Sequence, residues 1–278
     1  MTSNDELAKY LAACDSEDVQ ALIGLLRSKL SPSSRKLAGE YPSLDAVPAA
    51  GTDERLELCR RIVSLLGWYG ANSIAYTWRK VSQGDGGKAY LGILRDVVRL
   101  LNHRLPREHR EKLPVATGVP ELEQKTVEIL LALQFHDKKT EEIVQILEES
   151  GLEREVAEDA ARRYGPGLAS VGLPILTKFL GKKTVMTIVQ QMLVAIVGRF
   201  VGKEAASQMA KRIAIKIAQK TLTRLISWVG WALLASDLVM FATAPARRIT
   251  LKVVPFLALS RVRKRLDAEN NEEPPASG

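Results

Sequence analysis

A chain of 278 residues with 46 % hydrophobic and 26 % charged side chains can bury one large core or two modest ones, which excludes a disordered polypeptide. Aromatics make up only 5 %, and Ala, Leu, Val and Ile carry the apolar share, a balance that favours packed helices over an aromatic-rich β-sandwich. The net charge of +8 divides into −3 over residues 1–167, +15 over 168–266 and −4 over 267–278. A cationic and apolar half of this kind suits anionic lipid headgroups better than nucleic acid.

In chain order, residues 5–30 read as two short helices, with Leu7, Tyr10 and Leu11 at helical spacing and a cap signal at Asp15-Ser-Glu-Asp18. The stretch 31–52, rich in Pro, Ser and Ala, is a connector. An amphipathic helix from Asp53 carries Leu56, Ile62, Val63, Leu65 and Leu66 and ends near Gly67 or Gly70. Residues 72–81 begin another helix, which breaks at Ser82-Gln-Gly-Asp-Gly-Gly-Lys88. Residues 89–103 form a stronger one with Leu91, Leu94, Val98 and Leu101 on one face. After a second connector at Pro106–Pro120 come acidic helices at 121–134, 138–149 and 152–163. Tyr164-Gly-Pro-Gly167 then marks a boundary.

Beyond that boundary the texture changes. Thr184–Gly198 is almost wholly apolar. Residues 202–225 place Lys203, Lys211, Arg212, Lys216, Lys220 and Arg224 on one helix face and Met209, Ile213, Ile217, Leu222 and Leu225 on the other. The 22 residues 225–246 hold one charge, Asp237, and are long enough to cross a hydrocarbon core of about 30 Å. Trp228 and Trp231 suit an interfacial belt. An acid near the middle of such a span costs about 2.5–3.5 kcal/mol, so a buried hairpin arm with Asp237 paired to Arg247 and Arg248, folded back beyond Pro245, is the favoured reading. Residues 249–259 follow as an apolar run interrupted by Pro255, then the basic end Arg261-Val-Arg-Lys-Arg265 and a disordered polar tail from 267.

Catalytic chemistry has no positive signal. Ser82–Lys88 lacks the leading Gly, the trailing Ser or Thr and the preceding strand of a phosphate loop. His103, His109 and His136 lack metal spacing and read as solvated surface imidazoles. Cys14 and Cys59 belong to no nucleophile, metal or disulfide pattern and suggest a reducing compartment. The N-terminus has neither the basic nor the apolar region of a signal peptide.

Three blocks resemble the YaaW-type family of uncharacterised bacterial proteins, which is grouped with ubiquinol–cytochrome c chaperone-like domains. The first is Asp5–Val19. The second joins Trp68-Tyr-Gly-Ala-Asn-Ser-Ile-Ala75 to Tyr90-Leu-Gly-Ile-Leu-Arg-Asp-Val97, so that Gly70, Asn72, Ser73, Tyr90 and Asp96 fall on the family pattern, while Ala71 replaces its second glycine. The third is Gly230–Leu259, where Ala244 replaces a Gly and Arg247 a Tyr. The resemblance implies no catalytic set.

These observations predict an all-α multi-helix bundle with a basic, apolar C-terminal helical hairpin region. Its parts are a short N-terminal helical domain (1–30), a helical interaction domain (53–166), the cationic region (168–266) and the tail (267–278). The expected function is non-enzymatic and without cofactor or metal. The chain is expected to be cytoplasmic, peripheral at the inner membrane or conditionally inserted, with anionic lipid and a protein partner as ligands and no nucleic acid or small-molecule substrate. Lys203, Lys211, Arg212, Lys216, Lys220, Arg224, Trp228 and Trp231 would make the surface contact. Two other functions fit the same residues: a membrane-perturbing, pore-forming-like effector of a toxin or defence system, and an assembly factor or chaperone that binds a client protein.

Overall fold

The computed structural model of the protein describes residues 3–27, 47–70, 89–110, 118–136, 138–164, 172–212 and 245–272. Among them are eleven α-helices, one short 3₁₀ turn and no strand, so the fold is an all-α bundle. The helices are α1 (Ser3–Ala12), α2 (Ser16–Arg27), α3 (Asp53–Gly70), α4 (Tyr90–Asn102), α5 (Val119–His136) and α6 (Thr140–Glu149). They continue as α7 (Arg154–Tyr164), α8 (Leu173–Leu180), α9 (Lys182–Phe200), α10 (Lys203–Arg212) and α11 (Pro245–Glu272).

Apolar periodicity accounts for most of these elements. On α4 the buried side is Tyr90, Ile93, Leu94, Val97, Val98 and Leu101, a stripe of the width that a surface helix turns to a core. The α6–α7 hairpin turns through Gly151 at φ 96°, a left-handed conformation that favours glycine. Above it, Ser150 Oγ donates to the Ile146 carbonyl at 2.7 Å. Between α8 and α9 a single residue, Gly181 at φ 79°, ends one helix and begins the next. That sharp corner was not read from the sequence, nor was α8 itself.

α11 is helical and apolar as its stretch predicts, and differs from expectation at two points. Pro255 lies inside it without breaking it, and the helix continues to Glu272, six residues into the segment expected to be a disordered tail. Proline removes one backbone donor and crowds the preceding turn, at a cost of about 3 kcal/mol in an isolated helix. Residues 249–260 are all buried, however, and a helix enclosed on every face is held by its neighbours. Those neighbours include α2, α3, α4, α5 and α9. One hydrophobic core therefore joins the near-neutral and cationic halves, running from Leu7 to Leu266.

Candidate functional site

α11 carries Arg261, Arg263 and Lys264 toward acids and rings of the first half. Arg263 Nη2 donates to Asp18 Oδ2 of α2 at 3.1 Å, with both side chains almost fully buried. Two residues earlier, Arg261 Nη1 donates to Glu123 Oε2 of α5 at 3.1 Å. The other oxygen of that carboxylate accepts from the Tyr90 hydroxyl of α4 at 2.8 Å. The Arg261 guanidinium also stacks over the Tyr10 ring of α1 at 4.4 Å, and Lys264 Nζ reaches the same ring at 5.4 Å. Farther along the helix, Lys252 Nζ lies 4.6 Å from the Phe200 ring and Glu269 pairs with Lys182 at 3.5 Å.

Burial sets the electrostatics of this cluster. Desolvation raises the Glu123 carboxyl above its ordinary value, and the nearby Arg261 and the Tyr90 hydroxyl pull against that rise. Tyr90 is pushed well up by burial and by the Glu123 charge. Tyr10 is raised by burial and by the Cys14 thiol. Cys14 is itself raised by burial, with Lys264 opposing. Burial takes Cys59 to about 11. Thiols in this state are neutral and inert at physiological pH. The cluster joins two ion pairs to a buried tyrosine hydroxyl.

A second buried cation supports the N-terminal part of the frame. Arg55 has no exposed surface and donates to the carbonyls of Pro48 at 3.2 Å, Cys14 at 2.9 Å and Asp15 at 3.3 Å. It ties the α1–α2 turn to the start of α3. Asn4 Oδ1 of α1 accepts the Tyr90 N–H at 2.9 Å and so satisfies an orphan donor at the start of α4.

One outward-facing group of bases lies on α8–α10. Residues 172–203 hold five bases, Lys178, Lys182, Lys183, Arg199 and Lys203, and no acid. Lys178, Lys183, Arg199, Lys203 and Lys211 are exposed. On α10 the face divides as the sequence predicts: Lys203, Ser207, Gln208 and Lys211 face out while Ala206 and Met209 are buried. Arg212 ends that helix. Lys216, Lys220, Arg224, Trp228, Trp231 and Asp237 lie outside the described residues. Arg247 and Arg248 sit in the first turn of α11, and the expected ion pair of Asp237 with them lies outside the described residues as well.

The residues of the resemblance have packing roles where they are described. A Cβ at Gly70 would be driven into Ile93 Cγ1 and Cδ1, so glycine allows the end of α3 to meet α4. Tyr90 is the buried partner of Glu123, and Asp96 is half-buried on α4. Asn72 and Ser73 are outside the described residues. The histidine expectation changes in part, because His109 and His136 meet edge to face at 6.1 Å and both are half-buried.

Sequence reasoning missed Asp18, Glu123, Arg261 and Arg263 as a set. Asp18 read as part of a helix start and the two arginines as part of a basic end. Among the described residues no group of His, Cys, Asp and Glu is placed to hold a metal ion, and no helix is long and apolar enough to cross a membrane. No protein-family model, curated protein or solved structure matches the chain.

Proposed function

We propose that the protein is a non-enzymatic helical module that docks on an anionic membrane surface through α8–α10 while its first half encloses α11. The observation that supports this reading is the split in the fate of the bases. Those of α11 from Lys252 to Lys264 turn inward to rings and carboxylates, whereas Lys178, Lys183, Arg199, Lys203 and Lys211 face out, with Glu204 as the one acid between residues 172 and 212. Each base near an anionic surface contributes about 1 kcal/mol, and the attraction falls off within a Debye length. The full chain is expected to co-float with vesicles containing phosphatidylglycerol, to stay behind with phosphatidylcholine alone, and to be released by high salt. Equal partitioning to both vesicles, or to neither, would overturn the proposal.

A second reading is favoured by one observation, the complete burial of residues 249–260 inside a jacket that includes acids of the first half. An apolar helix stored in that way suits a membrane-perturbing effector. Dye leakage from the same vesicles separates the two, since docking alone leaves the vesicles sealed. The three sequence blocks support a place beside the YaaW-type family, and the packing roles of Gly70 and Tyr90 within them accord with a non-enzymatic protein.

A further inference from the structure

α8 is short, and both of its ends are held. Glu128 Oε1 of α5 accepts the Leu173 N–H at 2.9 Å, which caps the start, and Gly181 closes the end at φ 79°. The helix buries Leu173, Leu176 and Leu180 against the core. The opposite face carries Pro174, Ile175 and Lys178, at helical spacing that puts them side by side. Ile175 is 57 % exposed, the highest value among the exposed large hydrophobic residues of the described chain. Around the Gly181 corner Lys183 is exposed as well.

Two acids at this corner have partners. Glu128 serves the α8 cap and pairs with Lys125 at 3.3 Å, and Glu269 pairs with Lys182 at 3.5 Å. Lys178 and Lys183 set two exposed bases beside an exposed aliphatic side chain. A rigidly held apolar tip within a basic ring is complementary to an anionic bilayer, whose headgroups take the lysines and whose acyl boundary takes the isoleucine.

We infer that the α8–α9 corner is the membrane-contacting tip of the protein, with Ile175 entering the interface and Lys178 and Lys183 meeting lipid phosphates. This inference rests on the docking function proposed above and names the part of the surface that makes the contact. Lys178→Gln with Lys183→Gln is expected to weaken partitioning to phosphatidylglycerol vesicles about 25-fold, at roughly fivefold per base. Ile175→Ser is expected to weaken it about tenfold, with far less salt dependence, because the loss is of apolar contact.

The site is read directly from full-length Ile175→Cys labelled with an environment-sensitive fluorophore. Cys14 and Cys59 are 1 % and 0 % exposed, so the introduced thiol is the accessible one. A blue shift with phosphatidylglycerol vesicles, quenched by nitroxide-bearing lipid and absent with phosphatidylcholine, is the expected result. If unlabelled protein co-floats while the label at 175 shows no shift and the variants bind as wild type does, this inference fails and the docking function stands. If unlabelled protein does not co-float, both fail together.

Discussion

Single residues set the character of the molecule where charges enter the core. Arg263 meets Asp18 through one hydrogen bond, while its Nε and Nη1 are buried with no hydrogen-bond partner among the described residues. A buried pair of this kind is a poor source of net stability but a costly one to break. Asp18→Asn is expected to lower the unfolding free energy by about 3–5 kcal/mol, measured in urea, because it leaves an arginine charge without its counter-charge. Asp18→Leu with Arg263→Met should fall within about 1 kcal/mol of wild type or above it. A double variant as damaged as the single one would show that the pair fixes the arrangement of helices rather than only its own charges.

Two pH dependences follow from buried acids. Because burial raises Cys59 from 9.0 to about 11, its thiol favours folding fully below pH 9, and that contribution is lost as pH rises through about 11. Cys59 should account for a loss on the order of 2 kcal/mol over this window, and Cys59→Ala should reduce the slope in urea titrations to the part that Cys14 contributes. Glu123 acts with the same sign at lower pH. Its raised carboxyl gives a contribution that is complete below the ordinary 4.5 and fades as pH climbs through the raised value. The Glu123→Gln variant should lack that decline. Neither acid announced itself in the sequence. Glu123 sits on an acidic helix among other carboxylates, and burial beside Tyr90 and Arg261, the latter 138 positions away, singles it out.

At the scale of elements, helix existence was legible wherever an apolar stripe alternated with charge, as on α2, α4, α6 and α10. Two features were not. α8 is eight residues long, too short for periodicity to declare itself, and it depends on a cap from α5. α11 was divided at Pro255 because local rules end a helix there, and enclosure by five neighbouring helices overrides them. Close approach between elements gives a separate test. A Cβ at Gly24 of α2 would lie 2.7 Å from Val201 Cγ1, just after α9. Gly24→Ala should therefore destabilise by about 1–3 kcal/mol even though alanine is the better helix former by about 1. Adding Val201→Ala, at a position 37 % exposed, should recover most of the loss, with a coupling above about 0.5 kcal/mol in the double-mutant cycle.

At the scale of the whole molecule, the division of charge along the sequence was legible, but its meaning was not. The +15 of residues 168–266 suggested a broad cationic surface, yet Arg261, Arg263 and Lys264 spend their charge inside the bundle. Composition counts bases without saying which way they face. Because α11 occupies the centre of a shared core, its amides should exchange only through global unfolding. Hydrogen–deuterium exchange should find residues 249–260, apart from Pro255, among the slowest in the chain, and faster exchange there than in α1 would contradict a single core.

The central place of α11 also has a consequence for how the chain is made. Asp18 leaves the ribosome 245 residues before the arginine that completes it. At about 5–20 residues per second, the first helices wait roughly 12–50 s for their counter-ion and for the apolar rod they enclose. During that interval Asp18 and Glu123 lack the arginines that pair with them in the complete fold. The nascent chain's early companions in the cell therefore matter as much to a correct outcome as its own residues do.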